Sequence, residues 1–182
     1  MKNVKQILVA VDFSDCSHAL ANQAAQLAAK LDARLVFLNV VAPPSGLDPD
    51  AIIFPTQGDE GVGVLSYLKT DAERKMPRYI EDAANREGVP ATCKVVVGSP
   101  VETILAEASA LPADIIFLGS HGRTGLNRLV LGSVSERVLR HAEVPCMVIR
   151  NIHRHECEAS SCATCASGTS DPTRQARAEL DG

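Results

Sequence analysis

The chain has 182 residues, 46% apolar and 22% charged, with a formal net charge of −4, which suits one globular domain with some chain left over. Aromatic residues reach only 3%, four Phe and two Tyr with no Trp, which argues against a single-stranded nucleic-acid site built on stacked rings. The acidic balance excludes bulk attraction to nucleic acid or anionic membranes, and no apolar run approaches the roughly 18 residues a membrane span needs.

The first strand is predicted over 6–11, where a five-residue apolar run from Ile7 to Val11 is ended by Asp12. It is too short for a signal-peptide core and no small-residue cleavage site follows, so a cytosolic location is expected. Residues 14–31 carry Leu20, Ala24, Leu27 and Leu31 on one helical stripe. A second strand is predicted over 34–41. A connection over 42–63 follows, with Pro43, Pro44, Pro49 and Pro55. A connection of that length is either a lid or a surface excursion. Residues 64–87 have a helical pattern that Pro77 should kink or split.

Strands are predicted again over 92–97, 114–118 and 146–149. Between them, Ser99-Pro100-Val101-Glu102 has a capping residue, a proline suited to the first helical position and a glutamate at capping-box spacing. Ser133-Val134-Ser135-Glu136 repeats that spacing and predicts a helix to about His141. Apolar strands without polar alternation suit a parallel sheet buried on both faces. The β-α alternation therefore predicts an α/β fold, a five-stranded parallel sheet with helices on both faces. Ligands in such sheets bind at the carboxyl ends of the strands, where strand order reverses.

Composition changes near residue 151. From there to Gly182 the large aliphatics are Ile152 and Leu180, too few to offset the ordering entropy of a folded segment. Residues 1–150 are read as the domain and 151–182 as a polar tail.

The loop after the fourth strand is Gly119-Ser120-His121-Gly122-Arg123-Thr124-Gly125, and it closes at Gly132-Ser133. Glycines let backbone N–H groups approach a ligand, and a helix starting at Ser133 offers unsatisfied N–H groups and a positive dipole end. Together they predict a polyphosphate cradle, with Arg123 and Arg128 adding charge. Neither G-x-x-x-x-G-K-[ST] nor a strand–helix G-x-G-x-x-G occurs, so the P-loop and dinucleotide readings fail.

The spacing Gly119-x2-Gly122-x9-Gly132-Ser133 resembles the nucleotide-binding signature of the universal stress protein family. Ile7 to Ser14, Val97 to Pro100, Asp114 to Ile116 and Val144 to Ile149 are similar to that family's other landmarks. The resemblance covers residues 1 to about 150. It implies a Rossmann-like fold of the adenine-nucleotide alpha-hydrolase type, ATP as ligand, with magnesium, and a homodimer through the last strand, between Pro145 and Arg150. It also implies residue roles: Asp12 touching adenosine, Val40 in the adenine pocket, and Leu118, Gly119 and Gly122 along ribose and phosphates. Gly132, Ser133, Val134 and Ser135 complete the phosphate site. With so few aromatics, adenine is expected between aliphatic walls such as Val11, Val40 and Leu118.

Several of these residues have structural readings as well. Asp12 can cap the following turn, and Ser133 can serve a capping box with Glu136. His121, with no carboxylate partner visible, reads as a loop hydrogen-bonding residue. No general base or two-metal carboxylate cluster is evident, so a nucleotide-dependent switch in stress response, with at most slow hydrolysis, is expected. The alternative is an adenine-nucleotide alpha-hydrolase or adenylate-transferring enzyme. Such enzymes commonly carry a Ser-Gly-Gly-type loop after the first strand, where this chain has Asp12-Phe13-Ser14-Asp15.

Cys16, Cys93 and Cys146 are scattered among apolar segments, whereas Cys157, Cys162 and Cys165 crowd the tail with His153 and His155. In the cytosol structural disulfides are not expected. C-x2-C has the bite of a tetrahedral zinc site, but the full spacing matches no zinc module, and a disordered, redox-sensitive tail is the preferred reading.

Overall fold

The computed structural model describes residues 4–14, 17–43, 46–55, 60–120 and 131–150. The expectations for Cys16, His121, Gly122, Arg123, Gly125, Arg128 and the tail ligands His153, His155, Cys157, Cys162 and Cys165 lie outside these residues.

A parallel sheet is built from β1 (Gln6–Ala10), β2 (Arg34–Val41), β5 (Ala91–Val97), β6 (Ile115–Gly119) and β7 (Cys146–Ile149), in the spatial order β5-β2-β1-β6-β7. Its helices are α1 (Ser17–Leu31), α2 (Val64–Lys75), the short turns α3 (Pro77–Tyr79) and α4 (Asn85–Glu87), α5 (Pro100–Ala110) and α6 (Ser133–His141). The chain leaves β1 toward β2 and β5 on one side, then returns to β6 and β7 on the other. Strand order therefore reverses at β1.

The apolar runs have no polar alternation because the central strands are covered twice. Ile7, Val9, Leu35, Phe37 and Phe117 pack against α1 and against Met76, Tyr79 and Ala83. Leu8, Val36, Leu38, Ile116 and Leu118 face Val101, Ile104 and Ala108 of α5 and Val138 of α6. On α1 the fully buried positions include Ala21, Ala24, Ala25 and Ala28, small residues that let the helix lie close to the sheet. At the opposite edge from the carboxyl ends, one Asp114 carboxylate oxygen accepts the N–H groups of Lys5 and Gln6, at 2.8 and 3.0 Å. That contact pins the starts of β1 and β6 together.

Pro77 splits the helical stretch, as expected from sequence: α2 ends at Lys75 and a separate turn starts at Pro77. Backbone at Met76 stays right-handed (φ −56°, ψ −40°), Pro77 begins α3, and a wide π turn over Ile80–Ala84 follows before Gly88 ends the stretch at φ 67°. Proline tolerates this because the first turn of a helix needs no N–H from it. Ser99 caps α5 by position, but its hydroxyl bonds the Glu102 carboxylate instead of a backbone N–H. That bond, helped by Arg137, holds the Glu102 carboxyl below its usual range.

The connection after β2 folds back on itself as a two-stranded antiparallel ladder, β3 (Ile52–Ile53) with β4 (Val62–Gly63). Among its described residues Ile52 and Phe54 face solvent, 65% and 69% exposed. The ladder and the Val64 N–H bond to Ala51 O (2.8 Å) tie these described residues to the start of α2.

Phe37 is fully buried, with its ring 6.1 Å from that of Tyr79. Phe37→Ala should lower stability by about 3–5 kcal/mol, measured as a reduced urea midpoint with an unchanged slope. A loss under about 1 kcal/mol would mean that this side of the core does not depend on the ring.

Candidate functional site

The reversal of strand order opens a cleft of about 480 Å³ at the carboxyl ends of β1, β2 and β6. That volume lies within the range of small-molecule sites, about 300–1,000 Å³. The floor is made by the strand ends. Val11 N–H donates to Leu38 O (2.9 Å), and the buried Asn39 amide donates to Val11 O (2.8 Å). These two bonds satisfy the backbone of Val11 where the chain turns out of the sheet and hold the ends of β1 and β2 side by side.

Asp12 follows as the first polar residue of the β1 exit. Its Oδ1 accepts Ser14 N–H (3.0 Å), the Ser14 hydroxyl (2.6 Å) and the Ser17 hydroxyl (2.8 Å). The capping role read from sequence is therefore present, and it engages one carboxylate oxygen at the start of α1. Phe13 next adopts φ 60°, a left-handed backbone that is unusual for a bulky residue. This turns its ring toward Tyr79, with centroids 6.0 Å apart.

On the β6 side, Gly132 N–H donates to Ser120 O (2.8 Å), and the Ser135 hydroxyl donates to Gly119 O (2.6 Å). The first intrahelical bond of α6 runs from Glu136 N–H to Gly132 O (2.9 Å). The N–H groups of Ser133, Val134 and Ser135 therefore precede the helical ladder, at the positive end of the dipole. This corrects the capping-box expectation: Gly132 is the cap and Ser133 the first helical residue. Because Ser120 O already takes the Gly132 N–H, the helix starts one position earlier than a Ser133 cap requires, and Glu136 pairs with Arg140 instead (2.8 Å).

Val11, Asp12, Val40, Leu118, Gly119, Gly132, Ser133, Val134 and Ser135 all line this one cleft. Sequence reasoning missed Phe13, Asn39 and the wall supplied by α2, with Leu68, Asp71, Ala72 and Lys75. A signal for α2 was present in the helical spacing of positions 64, 68, 71, 72 and 75. Two charges on that stripe disguise it as a solvated face. Asp71 Oδ1 accepts from Arg74 (2.7 Å) and its other oxygen from Lys75. These hydrogen bonds hold its carboxyl below the usual range. The Lys75 ammonium also lies 5.8 Å from the Phe13 ring centroid. No cluster of three or more metal-ligating side chains occurs among the described residues, and no helix among them is long and apolar enough to cross a membrane.

The universal stress protein family model matches residues 3–150, including every strand of the parallel sheet and the cleft at their ends. The chain belongs to this family. A universal stress protein of Methanocaldococcus jannaschii is 31% identical over 148 residues, which is 80% of this chain and 82% of that protein. The solved structure of universal stress protein UspA from Lactobacillus plantarum is 28% identical, with a TM-score of 0.61, covering 82% of this chain and all of the other. The universal stress protein from Archaeoglobus fulgidus, solved in complex with dAMP, shares the fold at 19% identity. Its TM-score is 0.57, over 81% of this chain and 99% of its own. The sheet and its helices are thus the adenine-nucleotide alpha-hydrolase-like fold of universal stress proteins.

Tyr79 lies behind the cleft, buried under Phe13 and stacked on His18 at 4.7 Å. Burial pushes its phenol from 10.0 up to about 12; the Ser17 hydroxyl opposes this, and the Asp12 and Asp82 charges add to it. The unfolded chain therefore gives up this proton first, so the contribution is intact below pH 10.0 and is lost as pH rises toward about 12. Tyr79→Phe should flatten the decline in urea stability between those limits. A decline equally steep in the variant would show that other groups control it.

Proposed function

We propose that this universal stress protein binds ATP in the cleft, with magnesium, and acts as a nucleotide-dependent switch in stress response that hydrolyses ATP slowly at most. One observation carries the reading: an aliphatic floor of Val11, Val40 and Leu118 runs to a helix start whose first N–H groups have no place in the helical ladder. The first part takes a flat apolar base and the second takes phosphate oxygens. In this reading Asp12, already fixed by Ser14 and Ser17, offers its second oxygen to the ribose. Gly119, Gly122 and Arg123 follow the phosphates toward Gly132, Ser133, Val134 and Ser135. The dAMP held by the Archaeoglobus fulgidus relative supports an adenine nucleotide as the ligand class.

Magnesium fits this site as a companion of the phosphates, since that ion commonly keeps its waters and takes one or two carboxylates. With Asp12 committed to Ser14, Ser17 and the ribose, magnesium in this reading is held by the phosphates and its own waters. The chemistry of the donors favours holding over turnover. Asp12 is tied to two hydroxyls and Asp71 to two cations, and neither arrangement makes a strong general base.

Thermal unfolding with ATP and magnesium tests the reading. Ligand at 100 times its dissociation constant should add about 2.7 kcal/mol. Gly132→Val, which places a branched side chain beside the helix start, should abolish the shift without lowering the unliganded midpoint. No shift for the parent chain at millimolar ATP would refute the proposal.

We further propose that β7 pairs with a second copy of the chain. β7 forms one edge of the sheet. Pro145 O and Ile149 O accept from Ile116 and Ser120, so by strand alternation the N–H of Val148 points outward. Val148→Pro removes that outward donor and spares the ladder to β6. Light scattering should report a dimer for the parent chain and a monomer for the variant; an unchanged dimer would refute this edge.

A further inference from the structure

We infer that Asp71 and Lys75 read the edge of the base and set the preference of the cleft for a 6-amino purine. The inference rests on the nucleotide reading above.

The orientation of the ligand follows from the sheet order. Phosphate belongs at the α6 start, which is tied to β6 through Gly119. β6 lies on one side of β1 and β2 on the other. A nucleotide anchored at α6 and crossing the end of β1 therefore places its base over β2. α2 packs against both β2 and β5, and its Leu68, Asp71, Ala72 and Lys75 line the cleft, so α2 is a wall bordering the base, with Pro100 and Ile104 of α5 also in the lining.

Five α2 residues share one face: Val64, Leu68, Asp71, Ala72 and Lys75. Val64 and Ala72 are buried, Leu68 and Asp71 are half-buried, and Lys75 is exposed at the rim, whereas Ser66, Tyr67, Lys69, Thr70, Glu73 and Arg74 face solvent away from the cleft lining. Asp71 and Lys75 thus bring an ionised pair to the lining of the cleft, the carboxylate half-buried and the ammonium at the rim. They are also held in place. Asp71 is fixed by Arg74 and Lys75, its side chain only 23% exposed, and Lys75 is fixed by Asp71 and by the Phe13 ring. The left-handed backbone of Phe13 is what presents that ring.

The pair offers an acceptor beside a donor. A carboxylate has about four acceptor sites, and among the described residues Arg74 and Lys75 take one on each oxygen. Asp71 thus has capacity for an exocyclic amino hydrogen, while the Lys75 ammonium, with three donors, supplies the neighbouring ring nitrogen. Adenine presents that amino group and ring acceptor together. In hypoxanthine a 6-oxo group stands where Asp71 requires a donor, leaving the carboxylate facing an acceptor.

Calorimetric titration of the full chain with ATP, inosine triphosphate and inorganic tripolyphosphate separates the possibilities. The parent chain should prefer ATP over inosine triphosphate by on the order of tenfold, the scale of one hydrogen bond to a charged group. Asp71→Ala should reduce that preference to within about twofold and leave tripolyphosphate binding unchanged, because the phosphate donors are backbone N–H groups of α6 and not side chains of α2. Lys75→Met should weaken ATP on the order of tenfold, again sparing tripolyphosphate. An unchanged ATP preference in Asp71→Ala would overturn the inference and leave the ATP site standing. Loss of tripolyphosphate binding in Lys75→Met would also overturn it, making Lys75 a phosphate ligand. Failure of the parent chain to bind ATP would overturn both readings.

Discussion

Burial of β1 on both faces constrains everything else in this molecule. Ile7 and Val9 press against the α1 side and Leu8 against the α5 side, each with no exposure. A strand covered twice must be followed by a chain that leaves the sheet, and every polar function has to wait until it does. Asp12 is the first residue able to meet water and protein together. Its three short-range bonds to Ser14 and Ser17 turn the chain directly into α1. The buried amide of Asn39 completes the arrangement by satisfying Val11 O, a group that would otherwise be left unpaired between two strands.

The two sides of the cleft obey different physics. On the β6 side the attraction is dipolar and comes from backbone: Gly132 is anchored to Ser120, Ser135 to Gly119, and the first turn of α6 is left facing the opening. On the β2 side it comes from side chains fixed by their neighbours, with Asp71 and Lys75 neutralising one another beside apolar Leu68 and Ala72. Among the described residues neither side holds a cluster of three or more metal-ligating side chains.

Much of the fold was legible because its determinants are local. The five strands fall within a residue or so of where their apolar runs end; in β1, β2 and β6 burial on both faces writes itself into consecutive positions, whereas the edge strands β5 and β7 keep exposed positions. The start of α5 was readable from Ser99 and Pro100, although the Ser99 hydroxyl turned to Glu102. The start of α6 was misread by one position. Capping-box spacing was satisfied by Ser133 and Glu136, but a tertiary bond from Gly132 to Ser120 decided the first turn.

By itself the sequence determined the β-α alternation, the apolar walls at Val11, Val40 and Leu118, and the glycine-rich approach to a helix start. These depend on periodicity and backbone freedom within a few residues of each other. Tertiary structure alone decided that α2 forms the second wall, that Phe13 takes a left-handed turn beneath Lys75, and that Ile52–Ile53 and Val62–Gly63 of the long connection pair as a ladder before α2. Those outcomes depend on which distant surface a helix finds. A stripe of Val, Leu, Asp, Ala and Lys reads as half-solvated until β2 and β5 are laid beneath it.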